Sequence, residues 1–178
     1  NFVLDDSDLD FLSGISGKIK KISDYCTSSP GVVTGANNFF IVNKDTVAKY
    51  KLMKYSKPIL QKSSFVENDI TFSNSQLEKL QKANEPSFLV DLGNKSYKNL
   101  PVKVKAYLQL GKKNKVHTGF KCRNRKPWYN IPVVWAPIGM VFKRSHLYPK
   151  LIRNDASVLV TDAAYRIIPS DGYNIESI

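Results

Sequence analysis

Between Asp91 and Asp155 the chain has no acidic residue, yet this span holds fifteen of its 27 Lys and Arg. A solvated face normally interleaves both signs of charge. One sign sustained over such a length has no carboxylate nearby to neutralise it. That half of the chain must therefore turn its charged heads to water, where they create a field that attracts polyanions. The whole molecule shares the bias, with 178 residues and a formal net charge of +12.

The densest part is residues 117–132, HTGFKCRNRKPWYNIP. Lys121, Arg123, Arg125 and Lys126 fall within six positions, and Trp128 and Tyr129 follow at once. Lys and Arg neutralise phosphate, and the planar fork of Arg also reads guanine edges. Aromatic faces either stack on bases or anchor the local fold. Pro127 and Pro132 stiffen the backbone on both sides. On an extended chain Lys121, Arg123 and Arg125 would share one face, with Lys126 on the other. The stretch reads as a surface for holding nucleic acid. Cys122 within it reads as a small buried hydrophobe.

A chain of this length suits one domain spanning 1–178, and its 42% hydrophobic content allows a real core. No apolar run reaches the roughly 20 residues of a membrane helix. The start is acidic, unlike a signal peptide, and lacks Met, so a piece of a longer protein is expected. Cys26 and Cys122 stand alone, which fits a reducing cytoplasm, although a disulfide stays open. His117 and His146 are too few for a zinc site, so no metal is expected.

Local patterns predict an α+β fold: a mixed or antiparallel sheet of short strands with a few helices. Helices are expected over LDDSDLDFLSGI, over NKDTVAKYKL with Asn43 or Asp45 as cap, and over SNSQLEKLQKAN capped by Ser73 or Asn74. A further helix is expected from Pro101, stopped at Gly111. Strands are expected at GKIKKI, on both sides of a Gly/Asn turn in PGVVTGANNFFIV, and at KPILQKSSF, NDITFS and SFLVDL. Two more are expected in residues 133–154 and one in SVLVTDAAYRIIP.

Catalytic signatures are missing. There is no GxGxxG, GxxxxGK[ST], GxSxG or HExxH, and no paired carboxylates in an apolar setting. Catalysis by this chain alone is not expected.

Three blocks, GVVTGANNFFIV with KPIL, FKCRNRKPWYNIP, and YPKLIRNDASVLVTDAAYRI, resemble one known family. It is the C-terminal target-recognition region of adenine-N6 DNA methyltransferases of type II restriction–modification systems. The resemblance runs from about Lys18 to Ile168. It implies that a catalytic domain upstream of Asn1 binds S-adenosylmethionine and carries an Asn/Asp-Pro-Pro-Tyr/Phe motif. It implies no cofactor in this chain, and double-stranded DNA as the partner. An enzyme that methylates an adenine amino group must take the base out of the duplex, so another part must grip and read the DNA.

Candidate DNA contacts are Lys121, Arg123, Arg125, Lys126, Trp128, Tyr129, Thr34, Asn37, Arg144, Arg153 and Asn154. Trp128 reads more readily as a core anchor than as a stacking platform, and Thr34, Gly35 and Asn37 equally well as a turn. Asp162 is expected to orient Arg123 or Arg166 by bidentate pairing rather than to contact a base. The alternatives are an RNA-binding or ribosome-associated module, part of a type I specificity subunit, or an enzyme with an unfamiliar site.

Overall fold

The computed structural model describes residues 4–66, 70–144 and 148–177. It contains two compact units. The smaller is built from the described residues of Asn1–Thr27 and Pro169–Ile178, and the larger is Ser28–Ile168.

In the smaller unit, helix α1 (Asp6–Ile15) starts where the sequence predicts. The Asp5 carboxylate accepts the Asp8 N–H at 2.8 Å, and the Asp8 carboxylate accepts the Asp5 N–H at 3.3 Å. Two otherwise orphaned helix donors are thereby satisfied. GKIKKI is not a strand. Its residues form turns leading into the single-turn helix α2 (Ile22–Tyr25). Ile19 and Ile22 are 58% and 72% exposed, so the alternation has no buried face to serve. Tyr25 packs edge-to-face on Tyr173, with ring centroids 5.0 Å apart.

The strands are β1 (Cys26–Pro30), β2 (Ile41–Val42), β3 (Ser56–Leu60), β4 (Thr71–Phe72), β5 (Phe88–Val90), β6 (Gly139–Phe142), β7 (Leu151–Asn154), β8 (Leu159–Val160) and β9 (Ala164–Pro169). They form a five-stranded sheet in the order β1-β9-β6-β7-β4 and a four-stranded sheet in the order β2-β5-β3-β8. Both are mixed. β4 runs parallel to β7 and β3 parallel to β8, whereas β6 is antiparallel to both β7 and β9. The architecture is α+β, as the local patterns predict. The first two residues of NDITFS lie outside the described residues, as does His146.

The β3–β8 pair separates two cores. Ile59 and Leu159 sit opposite each other and enter one cluster; their neighbours Leu60 and Val160 enter the other. Side chains alternate across a strand, so one pair of short strands serves both. Fully burying a side chain of this size contributes about 1.5–3 kcal/mol. Helix α5 (Asn74–Lys82) lies against the second cluster through Leu77 and Leu80, and Ser73 caps it. Helix α4 (Lys44–Tyr50) is capped by Asn43, whose side chain accepts the Thr46 N–H at 3.0 Å.

Two expectations fail at aromatic residues. Of PGVVTGANNFFIV, only Pro30, which ends β1, and Ile41–Val42, which form β2, are in strands. Val32 makes an isolated parallel bridge to Thr161, and residues Asn37–Phe40 form one helical turn, α3. That turn buries Phe39 and Phe40 together, whereas a strand would put them on opposite faces. Gly111 does not stop its helix, because α6 (Val102–Lys113) runs past it. A Cβ there would come 2.5 Å from Phe39 Cζ and 2.7 Å from Trp128 Cη2. The glycine admits two rings against the helix backbone, despite costing about 1 kcal/mol in helix propensity.

Candidate nucleic-acid interface

The loop after Val32 is held from three directions. The Val32 N–H donates to the Val160 carbonyl at 2.7 Å, and the Asp162 N–H donates back to the Val32 carbonyl at 3.1 Å. Thr34 is fully buried, its hydroxyl donating to Asn37 Oδ1 and accepting the Ala36 N–H. Gly35 has φ of +82°, and a Cβ there would lie 2.5 Å from Lys121 Cβ. Glycine adopts that conformation without steric cost.

The third hold corrects the sequence reading. Residues 121–126 do not form an extended ladder. Phe120–Arg123 form one helical turn, α7, and turns follow it. Its inward residue is Cys122, fully buried in the first core cluster. Burial pushes the Cys122 thiol up in pKa, while Arg125 pulls the other way; a buried neutral thiol is a packing group. Arg125 turns inward. Its Nη1 donates to the Thr34 carbonyl at 2.6 Å and its Nη2 to the Val33 carbonyl at 2.8 Å. The guanidinium fork ties the basic segment to the loop.

Four more candidate contacts are structural. Trp128 is half-buried among Phe39, Phe40 and Tyr129, with centroids 5.7–6.1 Å away. Tyr129 is buried, and its hydroxyl donates to the Lys95 carbonyl at 2.7 Å. Asn154 is buried, its amide donating to the Pro137 and Val158 carbonyls at 2.7 and 2.8 Å. Thr34 is spent on its own turn. Polar groups buried this way are hydrogen-bonded because leaving them unpaired costs about 1–3 kcal/mol each. Arg153 is on the surface but grips Asp155 with two bonds, at 2.8 and 3.0 Å.

Lys121, Arg123, Lys126 and Arg144 are exposed. Phe120, which the sequence did not single out, is 64% exposed. The Arg123 guanidinium lies 5.3 Å and the Lys121 ammonium 5.8 Å from the centre of its ring. An open groove of about 740 Å³ is lined by Asn37, Asn114, Lys121 and Asp162. A second, of about 410 Å³, is lined by Lys62, Lys143, Arg144 and Asp162. Asp162 is a wall of both. It makes no ion pair with Arg123 or Arg166 among the described residues, so its expected orienting role fails. Arg166 instead donates to the Pro30 carbonyl at 3.1 Å and stacks 4.1 Å from the Trp135 ring. Of the fifteen cations in the acid-free span, Arg153 alone forms an ion pair among the described residues.

Residues 1–178 match the family described as the type II methyltransferase M.Eco57I, C-terminal domain. The chain belongs to this family. No curated protein matches it. A domain of the M.Eco57I C-terminal family is a part of a methyltransferase, which implies a linked N-terminal domain. Within this family member, one groove is assembled from residues 33 and 35–39, Asn114, Val116, Lys121 of α7 and Asp162, and the other from residues 61–63, 142–144 and 162–163. The sequence signalled the charge but not the meeting of Lys62, Asn114 and Lys143 with Asp162, which are distant along the chain.

Proposed function

We propose that this domain binds double-stranded DNA sequence-specifically. It would serve as the target-recognition part of an S-adenosylmethionine-dependent adenine-N6 methyltransferase of a restriction–modification system. One observation carries the reading: fourteen of the fifteen cations between Asp91 and Asp155 form no ion pair among the described residues. Exposed members of that set line the two grooves. Cations left unpaired in this way suit phosphates, which position a duplex while a few side chains read base edges. In this reading Lys121, Arg123, Lys126 and Arg144 make the phosphate and base contacts, with Asn37 at the groove wall. Arg125, Trp128 and Tyr129 hold the surface in shape. S-adenosylmethionine and the methyl transfer belong to the N-terminal domain of the parent protein, so the chain alone is not an enzyme. It works in the bacterial cytoplasm as one recognition domain of residues 1–178.

The test is competition. A labelled duplex bound to the chain should be displaced by unlabelled duplex at lower concentration than by structured RNA of equal length. Displacement by RNA first would favour an RNA-binding module instead.

A further inference from the structure

We propose that Asp162 is a base-reading residue that accepts a hydrogen bond from the exocyclic amino group of cytosine or adenine in the major groove. This rests on the DNA-recognition reading above. Asp162 sits in the 161–163 turn, where the chain leaves β8 in one sheet for β9 in the other. Its backbone is fixed, with its N–H on the Val32 carbonyl at 3.1 Å and Thr161 bridged to Val32. Its side chain is partly buried and makes no hydrogen bond or ion pair among the described residues. It is the one acidic residue in the linings of the two grooves, which otherwise present Lys62, Lys121, Lys143 and Arg144.

A carboxylate in that position opposes phosphate binding by simple repulsion. It is acceptor-only, so its favourable partner must be a donor. Along the major-groove edge of a duplex the donors are cytosine N4 and adenine N6, while guanine N2 lies in the minor groove. A rigid backbone and an unspent carboxylate between cations suit base reading, because the cations hold the phosphates while the acid selects the base.

The experiment selects duplexes from a randomised pool with the wild-type chain, Asp162→Ala and Asp162→Asn. The carboxylate makes no hydrogen bond or ion pair among the described residues, so both variants are expected to fold; urea midpoints confirm it. The wild type should enrich a sequence with cytosine or adenine at one position, preferred roughly tenfold over other bases. Asp162→Ala should lose that preference alone, with binding of non-preferred duplexes unchanged or tighter. Asp162→Asn, which adds a donor, should move the preference towards adenine. Where the position is cytosine, inosine for the paired guanine should leave binding unchanged. Loss of binding with inosine would overturn the major-groove assignment. If both variants enrich the wild-type sequence equally well, or weaken all sequences alike, Asp162 reads no base. If the wild type enriches nothing, the DNA-recognition reading falls, and this proposal with it.

Discussion

Replacing Arg125 should unfold the surface before it weakens any contact with DNA. Its guanidinium makes two hydrogen bonds to backbone carbonyls, at 2.6 and 2.8 Å. A hydrogen bond to a charged group contributes about 1.5–3 kcal/mol net. Arg125 is only half-buried, so water replaces part of what is lost, and the lower end applies to each bond. Arg125→Ala should therefore cost about 2–4 kcal/mol. For a chain of this size, a loss near 3 kcal/mol lowers the melting temperature by about 6–12 °C. Arg125→Lys should fall between, because one ammonium cannot span both carbonyls in the plane of a fork. Urea unfolding followed by tryptophan fluorescence gives the stabilities. Duplex titration at a temperature where both variants are folded gives the affinities. An unchanged urea midpoint for Arg125→Ala, with a sharp loss of duplex affinity, would refute the reasoning and make Arg125 a DNA contact.

Other residues should behave differently. Arg123→Ala should leave stability within about 0.5 kcal/mol, because its side chain is exposed. It should weaken duplex binding and reduce the salt slope by about 1, read by titration at several salt concentrations. Asn154→Ala should destabilise by about 3 kcal/mol in urea without any specific effect on DNA, because it strands buried carbonyls of Pro137 and Val158. Burial raises the Tyr107 phenol well above its ordinary range, with Tyr50 adding to it. The unfolded chain then loses that proton first, so stability should hold below about pH 10 and fall as pH rises above it. In Tyr107→Phe that alkaline slope should flatten, by urea titration at stepped pH.

Local signals were legible where local physics decides. Asn43 and Ser73 cap their helices because a short polar side chain followed by an amphipathic run leaves few other solutions. The apolar run Phe88–Val90 is buried on both faces, as its composition demands. Failures came where a distant partner decides. The alternating basic residues at 121, 123 and 125 imitate strand periodicity, but buried Cys122 and the inward fork of Arg125 turn the backbone into a helical turn. SVLVTDAAYRIIP reads as one strand because its apolar residues are continuous. The chain splits it into β8 and β9, which join different sheets, and the break at Asp162 is what brings that residue to both grooves. Charge, by contrast, is additive along the chain, so the acid-free span announced the field without fixing its shape. Trp128 was legible as an anchor from its size and its proline neighbour, and Phe39 and Phe40 are what it anchors against. Tyr129 was not, since only the approach of the Lys95 carbonyl gives its hydroxyl a buried partner.

The most direct measurement is the salt dependence of duplex binding by the 178-residue chain. Neutralising roughly six phosphates predicts a log–log slope of affinity against salt near −5. A flat dependence, or no affinity for any duplex at low salt, would contradict the claim that the unpaired cations of this surface grip DNA.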